Sequence, residues 1–353
     1  MGQTSQAEIL DRRADTRASS RIPELDSLRG IAALSVALFH LTAYHDQYPD
    51  LPFKGSAGHY GVELFFVISG FVIVMSLEKT SSVAAFANAR FARLYPAYWV
   101  AVLFTTLVAH AFESAPPSAP VALFNLTMLQ VFTQVPNVDY SYWTLAVELC
   151  FYIYMALLSR FDRLKNIETV MLYWCAMAFA FRWYARGHGI RVPEVLSVVT
   201  LLGYVQFFTL GICIYRWSAG LATRRTWLTI AVACAISLRG AVRSSLFALP
   251  LEYFGVTCGV FALVAFAVIV RPALLRLRAL VFLGEVSYPL YLIHQRAGKD
   301  VIGAGKAAGY SAAVVLPATF AALIFTAYLI HRFSEVPGRR WLRRDTARTS
   351  GSP

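Results

Sequence analysis

The sequence predicts an all-α polytopic membrane protein with about ten transmembrane helices and both termini on the cytoplasmic side. Hydrophobic residues make up 58% of the 353-residue chain, aromatic residues 14% and charged residues only 15%. Mean hydropathy is +0.55, too little polarity to coat a soluble globule. The net charge of +12 falls in short basic clusters between apolar runs, as it does at the cytoplasmic ends of membrane helices. No basic tract interleaved with aromatics lies outside the apolar runs, so a nucleic-acid partner is not expected; membrane lipid is.

Residues 1–21 are polar and basic without a signal-peptide core and are expected to form a disordered, uncleaved cytoplasmic tail. The first span is expected from Leu28 to Tyr44, with Asp26 or Ser27 as its cap. His45 to His59 contains Pro49, Pro52, Gly55 and Gly58 and reads as a loop. A second span follows from Tyr60 to Leu77. In the basic connector after it, Arg90 and Arg93 are spaced to share one helix face.

Span three is placed at Tyr95 to Phe112, ended by a Pro-rich turn. Val121 to Val135 is short and carries Asn125, Thr127, Gln130 and Gln134, as a re-entrant or interfacial segment would. Span four, Tyr142 to Leu158, holds Glu148. Further spans fit at Thr169 to Tyr184, Leu196 to Trp217, Trp227 to Leu238, Leu251 to Val270, Ala279 to His294 and Tyr310 to Ile330. Most basic clusters then fall on the cytoplasmic side, with Arg186, Arg191, Arg239, Arg243, Lys299 and Lys306 as exceptions. Domain limits of 1–21, 22–334 and 335–353 follow, the last a basic cytoplasmic tail. Cys150, Cys175, Cys213, Cys234 and Cys258 lie in apolar segments and show no metal-ligand spacing.

Chemistry has to come from the few polar residues inside this apolar frame. Arg29 stands at the entrance of the first span and His40 about 16 Å deeper along the same helix, near mid-membrane. An ionisable side chain there is costly and usually serves a site. Glu148 is expected at a similar depth, where a carboxylate beside an imidazole would raise its basicity and fix its tautomer. Structural hydrogen bonding between helices is the plainer alternative for both. Arg29, Arg90 and Arg93 gather at the cytoplasmic entrance; guanidinium forks suit phosphate, although positive-inside topology alone also places arginines there.

Taken together, several stretches resemble the acyltransferase-3 family of integral membrane O-acyltransferases. They are the Arg29-to-His40 spacing, Phe65-Phe66-Val67-Ile68-Ser69-Gly70-Phe71, Arg90-x-x-Arg93 followed by Leu94-Tyr95-Pro96-Ala97-Tyr98, and Trp143-Thr144-Leu145 leading to Glu148. Later echoes are Phe208-Thr209-Leu210-Gly211, Ser287-Tyr288-Pro289-Leu290-Tyr291-Leu292-Ile293-His294 and Glu335-Val336-Pro337. The resemblance covers about Ile22 to Arg340 and departs from the family pattern at Ala89 and Thr144, neither assigned to chemistry.

The resemblance implies transfer of an acyl group, usually acetyl from acetyl-CoA, to a hydroxyl of a sugar: an exported polysaccharide, a lipid-linked saccharide or a small glycoside. It implies that Arg90 and Arg93, with Arg29, bind the CoA phosphates. His40 would be the catalytic group, as general base or transiently acylated, with Glu148 as a second active-site residue. Ser69, Gly70, Trp143 and Thr144 would support the site. No metal is implied. A single-domain type without a fused soluble hydrolase-like domain, resident in the plasma (inner) membrane, is expected; oligomeric state is not legible. The competing class is a sugar or lipid transporter with a His40/Glu148 proton relay, which the absence of an internal repeat disfavours.

Overall fold

The computed structural model describes residues 21–44, 47–80, 82–113, 115–239 and 250–338. The expected N-terminal tail, the basic run from Arg339 onward and Arg243 lie outside the described residues. Among those described, the chain is helical without strands.

Helix α1, Pro23–Leu38, runs on as a π-helical stretch, Phe39–Tyr44. Pro23 occupies the first turn, where its missing N–H leaves no hydrogen bond unmade. The helix therefore begins before the expected cap at Asp26 or Ser27, and Ile22 precedes it. After a 3₁₀ turn at Ser56–Tyr60 comes α2, Gly61–Lys79. Helix α3 is a continuous 30-residue element, Val83–Phe112, whose first turn is capped by Ser82 accepting from the Ala85 amide. The expected break at Tyr95 is absent: Pro96 lies inside the helix, so the Arg90 and Arg93 connector is part of span three.

The ambiguous segment after it forms only a short helix, α4 (Ala119–Asn125), and a 3₁₀ turn, Gln130–Thr133. Its amides explain why it does not cross. Asn125 donates to the Val121 and Pro136 carbonyls and accepts from the Val138 amide, and Gln130 donates to the Tyr98 hydroxyl and to Asn137. Polar side chains thus satisfy irregular backbone buried in protein, where it is tolerated at membrane depth.

Helix α5 is Trp143–Arg160 and α6 is Ile167–Gly187. The run expected as one span from Leu196 is split into α7, Glu194–Val199, and α8, Val205–Ser218, with Leu201 at φ 54° between them. The remaining helices are α9 (Arg224–Ile236), α10 (Pro250–Ile269), α11 (Arg278–Ile293), α12 (Arg296–Ala307) and α13 (Ala312–Ile330), the last continuing as a π-helical stretch, His331–Glu335.

Six helical stretches among the described residues are long and apolar enough to cross a membrane: Pro23–Tyr44, Ser56–Lys79, Val83–Phe112, Tyr140–Arg160, Leu251–Ile269 and Ala312–Gly338. The other expected crossings fall on α6, α8, α9 and α11. Helix α6 carries Glu168, Arg182 and Arg186, and the other three have 14, 13 and 16 residues. The α2 stretch is central, with 61% of its apolar window buried, whereas the last stretch buries only 28% and turns the rest outward. Exposed Leu103, Leu107, Leu157, Phe266 and Phe325 on these helices are what a lipid-facing surface requires.

Two close helix crossings set the core. A Cβ on Gly70 would stand 2.1 Å from the Phe208 carbonyl oxygen, and one on Gly211 would stand 1.9 Å from that of Val67, so α2 and α8 pack backbone to backbone. A Cβ on Gly284 would stand 2.1 Å from the Asp26 oxygen and one on Gly30 would stand 2.6 Å from the Gly284 nitrogen, which lays α11 alongside α1. Small residues permit such approach where packing rather than water drives association. Helices α1 and α11 run parallel: Gly30 meets Gly284 near their starts and His40 meets His294 near their ends.

At the Tyr44 end of the bundle, an ionic cluster closes the gap between α3 and α12. Arg296 bonds Glu113 and the Val138 carbonyl, and its backbone amide bonds Asp139 at 2.9 Å. Lys299 reaches Glu113 at 2.9 Å and Asp300 at 3.4 Å. The Tyr140 ring lies 5.5 Å from the Arg296 guanidinium and 5.6 Å from the Lys299 ammonium.

Candidate active site

Arg29, one turn and a half into α1, and Arg93, on α3, line one cavity together with Glu148 and Tyr152 of α5. Thr144, Phe65, Ser287, Tyr288 and Tyr291 complete its wall. Glu148 and Tyr152 share a face because they are four apart on one helix, and the tyrosine hydroxyl donates to the Glu148 carboxylate. Ser69 of α2 donates to the same carboxylate oxygen at 2.9 Å. Neither Arg29 nor Arg93 has a hydrogen bond or ion pair to a protein group among the described residues. Two guanidiniums facing a cavity in which the acid is already bonded to hydroxyls leave donors for an anionic ligand.

Arg90 is not part of that wall. Its Nη2 donates to Ser76 at 3.0 Å, and its guanidinium lies 5.3 Å from the Phe86 ring and 6.0 Å from that of Tyr152. Its Nε is buried without a partner. Gly70 sits at the α2–α8 crossing behind the cavity, and Trp143 packs against Tyr204 with ring centroids 5.5 Å apart. Thr144 lines the cavity and bonds the Tyr291 hydroxyl at 2.8 Å.

His40 stands elsewhere. The span runs Pro23–Tyr44, so His40 lies toward the Tyr44 end rather than midway, in the π-helical stretch, a geometry frequent at functional sites. The expected pairing with Glu148 is replaced by another: His40 Nδ1 is 2.9 Å from His294 Nε2, and His294 Nδ1 bonds the Tyr291 carbonyl at 2.7 Å. Glu148 gives its hydrogen bonds to Ser69 and Tyr152 instead. Tyr291 joins the two places, its side chain in the cavity wall and its carbonyl on the imidazole pair. The Phe65 ring packs edge-on against it at 5.5 Å.

Sequence reasoning singled out Arg29, Arg93, Thr144 and Glu148, which share the cavity, and Ser69, which bonds to it. It missed His294 and Tyr152. Both carried a signal: His294 is a second imidazole at the end of an apolar run, open to the reasoning applied to His40, and Tyr152 follows Glu148 at helical spacing. Among the described residues no group of three or more His, Cys, Asp or Glu side chains is placed to hold a metal ion.

Comparison with known proteins gives this geometry a family. The acyltransferase-3 model, described as an acyltransferase domain, matches residues 22–332. The chain is 30% identical over 175 residues to the acyltransferase MdmB of Streptomyces mycarofaciens, an alignment spanning 45% of this chain and 44% of that protein. It is 26% identical over 286 residues to the putative acetyltransferase ORF330 of Acidianus two-tailed virus, covering 77% of this chain and 82% of the relative. Similarity to the exopolysaccharide production protein ExoZ of Rhizobium meliloti is 28% over 286 residues, 77% of this chain and 86% of ExoZ. No solved structure matches. An all-helical chain with several membrane-length spans, matched over nearly its whole length by one family model, belongs to the acyltransferase-3 family of membrane O-acyltransferases.

Proposed function

We propose that the protein moves an acyl group, acetyl in the simplest case, from acyl-CoA to a hydroxyl of a carbohydrate or glycoside acceptor at the plasma membrane. The observation that carries this reading is a pair of guanidiniums, Arg29 and Arg93, that line one cavity and have no hydrogen-bond partner among the described residues. They offer forked donors to the phosphates of the CoA moiety. Arg90, held against Ser76, contributes charge from behind. With both termini cytoplasmic, this cavity opens toward the compartment where acyl-CoA is made. His40 lies about 16 Å farther along α1 than Arg29, a span that an extended pantetheine arm can cover past Tyr291.

At His40 the chemistry is base-assisted transfer. The imidazole takes the proton of the acceptor hydroxyl as its oxygen bonds to the thioester carbonyl carbon; the carbon–sulfur bond breaks, and the proton passes to the departing CoA sulfur. Glu148 belongs to the donor cavity in this scheme, holding the wall through Ser69 and Tyr152 rather than orienting His40. The carbohydrate acceptor draws support from ExoZ, a relative named for exopolysaccharide production.

Incubating the purified protein with labelled acetyl-CoA and cell-envelope polysaccharide tests the proposal. Labelled ester is expected from the parent, none from His40→Ala, and near-parental transfer from His110→Ala, whose ring is exposed on α3 and bonds the Thr106 carbonyl. Ester formation by His40→Ala at the parental rate would overturn the mechanism. Mass spectrometry of envelope polysaccharides and small glycosides with and without the protein identifies the acceptor.

A further inference from the structure

We infer that His294 is a positioning residue that fixes the tautomer of His40, placing the proton on Nδ1 and the lone pair on Nε2. The Tyr291 oxygen can only accept, so His294 Nδ1, at 2.7 Å, carries the hydrogen of that bond. His294 is fully buried with 0% exposure, and its hydrogen bonds go to a carbonyl and a second imidazole, with no anion bonded to it. Asp139, whose charge reaches the ring, has its oxygens bonded by Ser141 and by the Arg296 amide, so a charge on the buried imidazole would be desolvated without a bonded counter-ion; the ring is neutral and its Nε2 is an acceptor. The atom facing that acceptor at 2.9 Å is His40 Nδ1, which must donate. A neutral imidazole has one N–H, so the lone pair of His40 falls on Nε2.

The fold holds this arrangement. The backbone contact of Gly30 with Gly284 fixes the parallel register of α1 on α11, and the same offset of 254 residues pairs His40 with His294 one step of the bundle farther on. Ten residues of rigid helix, about 15 Å, connect the crossing to the pair on both helices. The π-helical stretch at Phe39–Tyr44 turns His40 off the straight α-helical line at the point where it meets its partner. The Nδ1–H tautomer is the less favoured one in the free histidine side chain, so a group that enforces it changes how much of the enzyme is ready to accept a proton. Glu148, bonded to Ser69 and Tyr152, is not the group that does so.

The kinetic consequence rests on the reading of His40 as the transfer base; the tautomer itself does not. The test therefore has two arms. In protein labelled with ¹⁵N at histidine and held in detergent micelles, with resonances assigned by His40→Ala, the neutral His40 ring is expected to carry its proton on Nδ1. His294→Leu is expected to release it to the Nε2–H form, and His294→Gln, whose amide oxygen reaches about where Nε2 stood, to restore Nδ1–H. A proton on Nε2 of His40 in the parent overturns the inference, whatever the activity.

In the transfer assay, His294→Leu is expected to lower kcat roughly 10–100-fold with KM for acetyl-CoA unchanged, and His294→Gln to recover most of the loss. Parental kcat in His294→Leu, with His40→Ala inactive, overturns the positioning role and leaves the acyltransferase mechanism standing. Parental kcat in His40→Ala removes the mechanism, and the spectra then decide the tautomer alone.

Discussion

Two groups of cationic side chains are buried in this bundle, and they differ in what neutralises them. Arg296 and Lys299 at the Tyr44 end are met by Glu113 and Asp300, by a carbonyl and by the Tyr140 ring. Arg29 and Arg93 face a cavity whose one carboxylate is occupied with two hydroxyls. A cation saturated by protein groups holds elements together; one left with open donors costs stability unless something arrives to use them. The first arrangement is a clamp between α3 and α12, and the second leaves guanidinium donors open to the cavity.

The largest expected effect comes from breaking the clamp. Replacing one member of a buried pair strands the other charge, at a cost of about 3–5 kcal/mol. Arg296→Met leaves Glu113 with Lys299 alone and removes the bonds to Val138 and Glu113, so its melting temperature in detergent should fall far below that of the parent. Arg93→Met, by contrast, breaks no protein hydrogen bond and should melt close to the parent without ligand. Equal destabilisation by the two substitutions would erase the distinction between them.

The clamp was not legible in the sequence, and the reason is physical. Glu113 and Asp139 are far in the chain from Arg296, Lys299 and Asp300, and Lys299 registered only as an exception to the basic-inside pattern. The spans of α1, α2, α5, α10 and α13 were legible because ~20 apolar residues in a row leave few alternatives. Where an apolar run turns back within protein, composition carries no stop signal: Leu201 takes a left-handed conformation inside the stretch read as one crossing. Tyr95, taken as the start of the third span, lies inside a helix that runs from Val83 through Pro96 to Phe112. In the site, Arg29, Arg93 and Glu148 could be found as ionisable residues in apolar surroundings, but which of them meet depends on helix register. That register, set by Gly30 against Gly284, gave His40 an imidazole partner instead of a carboxylate.

The arginine-lined cavity yields the second prediction. If Arg93 donates to a phosphate oxygen, each charge-assisted bond is worth about 1.5–3 kcal/mol, and Arg93→Met should weaken acetyl-CoA binding roughly 10–100-fold. Acetyl-CoA in hundredfold excess over its Kd should stabilise the parent by about 2.7 kcal/mol, and the same concentration should stabilise the variant by only about 0.4–1.4 kcal/mol. Arg93→Lys keeps the charge and loses the fork, so it should fall between them. Full protection of Arg93→Met by acetyl-CoA would place the donor outside this cavity.

The smallest effect sharpens the clamp itself. Burial raises the Glu113 carboxyl, but bonds from Arg296 and Lys299 outweigh it and hold the group down at about 2, against an ordinary 4.5. Burial, together with the neighbouring Glu113, pushes Asp300 up to about 6 from 3.8, against the pull of Lys299. The signs are opposite. Glu113 contributes stability above its unfolded value of 4.5 that is lost as pH falls toward about 2. Asp300 is protonated in the folded chain before it is in the unfolded one, so its cost is relieved as pH falls through about 6 toward 3.8. Melting temperature should therefore rise slightly on acidification from pH 7 and fall again below about 4.5. Asp300→Asn should abolish the rise and keep the fall, because the amide has no proton to gain, while the Arg296 and Lys299 bonds to Glu113 remain. A rise that survives in Asp300→Asn would assign it to another group and leave the clamp with a single titrating carboxylate.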